Sequence, residues 1–416
     1  MLVLNKAPVY PGLCFFWSKF NETTVLKYIT KTIWILSFVS LLTDTASEML
    51  YPVMPIYLKS IGFSIVLIGI LEGFAEAIAG LSKGYFGKLS DHSGKRVPFV
   101  QFGYALSAIS KPMMAFFTFP VWILFSRFTD RLGKGIRTGA RDALLSDETT
   151  AATKATVFGF HRSMDTIGAV IGPTFALLFL YAYPGSYKML FFLAFIPGLT
   201  AIATSFLLKE KPNNPLPSEK VGFFSFFAYW KNSRPEYRKL ITGLLFFALI
   251  NSSDIFLLLK AKEAGLSDIM VIGIYIFYNL VYAVMAFPMG ILADNKGIKK
   301  VFIFGLFFFS MVYTGMAFNT NLYLFFAIFF LYGVYASATE GVSKAWITNI
   351  SVKTETATAI GTYTAFQSIC TMLSSSIMGL IWYKFGSTTA LSVTGILTMI
   401  LVVYFVSIPA DSQRKL

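Results

Sequence analysis

The sequence predicts an all-α membrane protein whose twelve transmembrane helices form two pseudo-symmetric six-helix halves. Three observations carry that reading. Of 416 residues, 56 % are hydrophobic and 13 % charged, with a mean hydropathy of +0.65; a soluble globular chain carries about 25 % charge. Apolar runs of about twenty residues, long enough to cross a ~30 Å hydrocarbon core, recur along the chain. The second half also repeats landmarks of the first at a near-constant offset.

The runs fall near 33–58, 66–89, 98–117, 120–146, 157–182 and 187–208, then near 240–260, 268–293, 299–317, 321–350, 358–384 and 388–408. These are spans one to twelve. They divide the chain into a segment 1–31, a six-helix half 32–208, a linker 209–239 with four prolines, a second half 240–409 and a tail 410–416. An even number of spans puts both termini on one side. With that side cytoplasmic, the inner segments hold 21 Lys and Arg against 5 in the outer loops, a strong positive-inside bias. Most of the net charge of +14 is therefore topological, and no nucleic-acid partner is expected. The first 30 residues carry no cleavable signal pattern. The expected location is the cell membrane (the inner one in a Gram-negative cell), multi-pass, both termini cytoplasmic. Two cysteines and two histidines offer no metal centre, and no cofactor is expected.

Gly87-x-Leu89-x-Asp91-x-x-Gly94-Lys95-Arg96 recurs as Gly290-x-Leu292-x-Asp294-x-x-Gly297, 203 residues on. Arg141 and Lys344 are also 203 apart, Gly69 and Gly273 204, and Gly159 and Gly361 202. Two equivalent halves of even span number relate by an axis along the membrane normal.

The 87–96 stretch, lying between spans two and three, resembles the signature loop of the major facilitator superfamily, and its copy after span eight sits where that superfamily places one. The resemblance extends over the whole chain through helix count, repeat and linker. It implies that Gly87, Asp91, Gly94, Lys95, Arg96 and Asp294 lock the inner gate of an outward-open state. The residues alone permit the same idea: glycines allow close approach, and Asp91 can cap a helix N-terminus. In span five, Gly159, Gly168 and Gly172-Pro173 resemble the glycine-proline pattern of the antiporter subset, without its closing Gly-Gly.

Span four is the most informative segment. Arg127, Asp130, Arg131, Lys134, Arg137, Arg141 and Asp142 lie inside one membrane helix. At 100° per residue they share an arc of about 140°. Exposing them to lipid would cost on the order of 20 kcal/mol, so the stripe faces protein or water. Asp130 to Arg137 resembles the Asp-Arg-x-Gly-Lys-Gly-x-Arg run of a poorly characterised prokaryotic subgroup. Arg127, Arg131 and Lys134 are read as an anion-attracting cavity wall, with Arg137, Arg141 and Asp142 near the inner gate. Spans one, four, seven and ten line the cavity in this superfamily.

The remaining in-span charges fall on those helices and their neighbours. Asp44 and Glu48 in span one, Asp254 in span seven and Glu340 in span ten are the proton-coupling candidates, since intramembrane carboxylates are functional candidates by default. Glu340 also stands one turn from Lys344, an ordinary i, i+4 partner. Asn251, Asp254, Asn279 and Trp346 join Arg127, Arg131 and Lys134 as expected substrate contacts.

A transporter explains two repeats, charged cavity helices and the lack of a nucleotide motif. An intramembrane enzyme would show a catalytic set such as His-Glu-x-x-His, and a channel a repeated pore ring; Arg127 corresponds to Phe330. The expectation is a secondary active transporter, not an enzyme, moving a small anionic or zwitterionic organic solute by alternating access with proton coupling. The alternative is proton-coupled efflux of amphipathic drugs or metabolites. Its partners are the solute, protons and the bilayer, and a monomer is expected.

Overall fold

The computed structural model describes residues 28–51, 53–210 and 222–408. Among them it is helical throughout, with no strand. Span one is Lys31–Glu48 continued by Met54–Ser60. Spans two to six are Ile65–Ser93, Val97–Phe116, Pro120–Asp147, Lys154–Ala182 and Tyr187–Ser205. A short helix, Phe226–Asn232, precedes span seven, which is Pro235–Ile250 continued by Ile255–Glu263. Spans eight to ten are Asp268–Lys296, Ile298–Phe318 and Leu322–Ile350. Spans eleven and twelve run within Thr356–Ser407 and separate at Gly386. Residues 1–27 of the expected first segment, 211–221 of the expected linker and the whole expected tail 410–416 lie outside the described residues.

Helix starts follow local chemistry. Thr30, Ser267 and Asn321 accept hydrogen bonds from the amides of Ile33, Met270 and Tyr323, satisfying donors that have no intrahelical partner. Pro120 and Pro235 occupy the first helical position, where the missing N–H costs nothing. Seven described helices are long and apolar enough to cross a membrane by composition alone. Span four is not among them, because its charges depress its hydropathy, yet it runs unbroken for 28 residues.

Two apolar runs that read as continuous are broken. Span one stops at Glu48 and span seven at Ile250, 202 residues on, where Asn251-Ser252-Ser253-Asp254 interrupts the helix. Such side chains compete for backbone hydrogen bonds and disfavour helix interiors. The left-handed glycines show the same repeat. All positive-φ residues described are glycines, and they form the pairs Gly62 and Gly265, Gly94 and Gly297, Gly185 and Gly386. Each pair turns the chain at the same place in its half, where a Cβ would be strained.

The face carrying the turns at Gly94 and Gly297 is called here the basic face, and the other the far face. Polar contacts between the halves gather on the basic-face side. The largest fully buried side chains are aromatic, among them Tyr104, Phe158, Phe191, Phe302, Phe309 and Tyr332.

Candidate functional site

Span four is held by its small residues. A Cβ on Gly133 would come within 2.6 Å of the Gly103 carbonyl, and one on Gly139 within 3.0 Å of the Gly87 Cα. Gly103 and Gly87 belong to spans three and two, so the glycine side of span four packs against them backbone to backbone. The charged stripe is left facing inward.

Its part nearer the far face lines a cavity of about 330 Å³. Arg127, Arg131, Lys134 and Arg137 come from span four, Lys111 from span three, and Asp44 and Glu48 from span one. Five cations thus face three acids, counting Asp130. One of those acids is already matched, since Asp130 accepts from the Lys111 ammonium at 2.6 Å. Gly168 and Gly172 of span five let span one approach: a Cβ at either would meet span-one backbone at Leu41, Thr45 or Met49 within 3 Å. That contact presents Asp44 and Glu48 to the cavity.

A second cavity of about 790 Å³ adjoins the first, sharing Tyr51 and Tyr275. It lies between span five and spans seven, eight, ten and eleven. Asn251, Asp254 and Glu340 sit on its wall. The Asp254 carboxylate accepts from the Tyr332 hydroxyl at 2.5 Å, and the Asn251 amide donates to the Tyr335 hydroxyl at 3.0 Å.

The expected substrate contacts therefore divide. Arg127, Arg131 and Lys134 share a cavity with Asp44 and Glu48, and Asn251 and Asp254 share the second with Glu340. Two expected contacts lie elsewhere. Trp346 is buried against Phe302 and Phe405 in the second half, and Asn279 is buried with its amide donating to the Tyr275 carbonyl of its own helix. Neither lines either cavity. Arg137, expected near the gate, also lines the first cavity; its guanidinium donates to Ser107 at 2.6 Å and lies 4.7 Å over the Tyr104 ring.

Below the cavities the halves are clamped. Asp91 accepts from the Thr358 amide at 2.6 Å, the Thr358 hydroxyl at 2.7 Å and the Ala357 amide at 3.3 Å. It thereby caps the first turn of span eleven, where the helix dipole favours negative charge. Asp294 caps span five in the same way, accepting from the Thr156 amide at 2.7 Å, its hydroxyl at 2.6 Å and the Ala155 amide at 3.1 Å. Arg96 pairs with Asp91 at 2.8 Å and Asp147 at 2.9 Å. Gly87 and Gly290 bring their helices onto the carbonyls of Ala357 and Ala155, which a Cβ would strike. Lys95 is exposed beside the turn.

Ion pairs across the halves complete the clamp and correct one expectation. Lys344 does not pair with Glu340. It pairs with Asp142 of span four at 2.8 Å, while Glu340 pairs with Arg162 of span five at 2.7 Å. Arg141 stands behind the closing surface, holding Asp142 at 2.9 Å and donating to Ser40 at 3.2 Å. Asp142 stands with Arg141 near the gate as expected, whereas Arg162, Thr156 and Thr358 are gate groups that sequence reasoning misses. The repeat held a signal for two of them, because Thr156 and Thr358 are 202 apart, as are Ala155 and Ala357.

The sequence profile of the Major Facilitator Superfamily matches residues 36–278 and 255–416. An uncharacterized MFS-type transporter of Methanocaldococcus jannaschii is 30 % identical over 387 residues, covering 89 % of this chain and 95 % of its own. The quinolone resistance protein NorA of Staphylococcus aureus is 25 % identical over 191 residues, under half of either chain. Among solved structures, the human organic anion transporter MFSD10 superimposes with a TM-score of 0.76 at 14 % identity, covering 90 % of this chain and 98 % of its own. The fucose:proton symporter FucP of E. coli gives 0.73, also at 14 %, covering 91 % and 98 %. At that identity the likeness to the two structures is one of fold.

Proposed function

Because the chain belongs to the Major Facilitator Superfamily, and is a multi-pass membrane transporter rather than an enzyme, we propose that it moves a small anionic or zwitterionic organic solute by alternating access, coupled to protons. The observation that carries the reading is the first cavity, where Lys111, Arg127, Arg131, Lys134 and Arg137 outnumber Asp44, Glu48 and Asp130. Cations lining a partly dehydrated cavity attract an anion far more than the same charges in bulk water. Asp44 and Glu48 on the opposite wall are the proton-coupling groups: a carboxylate that gains a proton releases its neighbouring cations and enters a dry state at lower cost.

The basic face is read as cytoplasmic on the Lys and Arg count, with both termini inside; the proposal takes the chain to act as a monomer in the cell membrane. The clamp at Asp91, Asp294 and Asp142–Lys344 then closes the cytoplasmic side, and the cavities belong to the outward-facing state. The span-four run from Asp130 to Arg137 groups the chain with the prokaryotic subgroup it resembles. Efflux of amphipathic compounds is the second reading, supported by the partial similarity to NorA and by the size of the second cavity.

A thermal-shift screen of organic anions, zwitterions and cations on purified protein at two pH values tests the proposal, since a bound ligand stabilises by mass action. Anions should raise the melting temperature of the wild type and not of Arg131→Ala. Stabilisation by cations alone would contradict it.

A further inference from the structure

We infer that the two cavities form one composite site whose ligand is an amphipathic monoanion, its charged head among the span-four cations and its apolar body between the halves. The inference rests on the anion reading above and specifies the class of anion. The first cavity is a small charged chamber of about 330 Å³, and the second is larger, about 790 Å³; both fall within the ~300–1,000 Å³ range of small-ligand sites. Of the twenty residues lining the second, thirteen are aliphatic, aromatic or proline, including Leu177 and Leu180 of span five, Ile255 and Leu258 of span seven, and Ile272 and Ile276 of span eight. Tyr51 and Tyr275 belong to both walls, so the chambers abut at that pair and only those two side chains stand at their junction in both linings.

The charges also fix the orientation. All the cations of the first chamber lie on spans three and four, whereas the charged groups on the wall of the second are the acids Asp254 and Glu340. A second negative charge at the other end of the ligand would face Asp254, whose partner is the neutral Tyr332 hydroxyl, while Glu340 already holds Arg162; this disfavours dianions. A short hydrophilic anion would fill the head chamber and leave the apolar one wet. A body that buries apolar surface there adds affinity in proportion to the area removed from water.

The test is binding by calorimetry to the full chain in nanodiscs of neutral lipid, with empty nanodiscs as reference. Three probes are compared: laurate, butyrate and dodecyltrimethylammonium. Laurate should bind at least about tenfold more tightly than butyrate, and the ammonium amphiphile should not bind. Ile276→Trp or Leu180→Trp, on opposite walls of the apolar chamber, should weaken laurate about tenfold and leave butyrate unchanged, while Arg131→Ala should weaken both. Equal affinity for laurate and butyrate, or loss of both in the tryptophan variants, would overturn the composite site and leave the anion reading standing. Binding of the ammonium probe in preference to both carboxylates, or of no probe, would overturn both. Competition of aqueous laurate with dodecanoyl lysophosphatidylglycerol placed in the bilayer identifies the source: displacement of laurate assigns a membrane lipid, and its persistence a dissolved anion.

Discussion

Asp91 and Asp294, 203 residues apart, each cap a helix of the opposite half. Asp91 holds the amides of Ala357 and Thr358 at the start of span eleven, and Asp294 those of Ala155 and Thr156 at the start of span five. The clamp is thus doubled, and the two contacts obey the same pseudo-twofold axis as the chain. They differ in reinforcement: Asp91 also binds Arg96, which reaches Asp147, whereas Asp294 accepts from the start of span five.

Removing one cap should bias the clamp without unfolding the protein. Asp91→Asn or Asp294→Asn discards a charge–dipole interaction of roughly 1–2 kcal/mol, so the population open on the basic face should rise about five- to thirtyfold. The double variant should exceed either alone. Spin-label distances between spans two and eleven, and five and eight, measure it; distributions unchanged from wild type would return the two aspartates to a purely topological role.

Glycines at the closing surface and within one half should behave differently. A Cβ at Gly87 strikes the Ala357 carbonyl across the halves, while one at Gly172 meets Thr45 and Met49 inside the first half. Gly87→Val should therefore abolish transport with near-normal melting temperature and with the basic face held open. Gly172→Val should lower the melting temperature and expression instead. Identical behaviour of the two variants would contradict the division into rigid halves.

Asp142 is fully buried between Arg141 and Lys344. Asp142→Ala leaves two cations facing each other without a counter-charge, a cost of about 3–5 kcal/mol. Lys344→Ala leaves Arg141 to hold the carboxylate, so its effect should be less than half as large. Thermal unfolding in matched lipid compares them; the reverse order would show that Arg141 does not hold the carboxylate.

Proton coupling through span one makes a separate prediction. Asp44→Asn or Glu48→Gln should leave solute exchange intact while uncoupling net flux from an imposed pH gradient. Wild-type flux indifferent to that gradient would make the protein a facilitator, and these acids partners of the span-four cations alone.

What could be read beforehand follows from what spacing reports. Helix number, the offset of about 203 and the inward stripe on span four are properties of single helices or of their repetition, and the periodicity of one chain contains them. Partner choice across helices is not contained there. Glu340 and Lys344 share a helix face at i, i+4, yet each pairs with the opposite half, because spans four and five bring Asp142 and Arg162 within reach. The break in span seven vanishes in a twenty-residue average, since four polar positions barely change the mean, and the break in span one vanishes because it falls in the largely apolar stretch from Met49 to Val53. Trp346 lies two residues from Lys344 in sequence, and that step carries it round the helix into the packing of Phe302 and Phe405.

The claim that the span-four cations receive the transported anion is tested most directly by uptake into proteoliposomes. Radiolabelled organic anions and cations of matched size would be offered to wild type, Arg131→Lys and Arg131→Ala. A hydrogen bond to a charged group contributes about 1.5–3 kcal/mol, so anion uptake should fall at least tenfold in Arg131→Ala, recover in part in Arg131→Lys, and exceed cation uptake in the wild type. Undiminished anion uptake by Arg131→Ala, with normal insertion, would contradict the account.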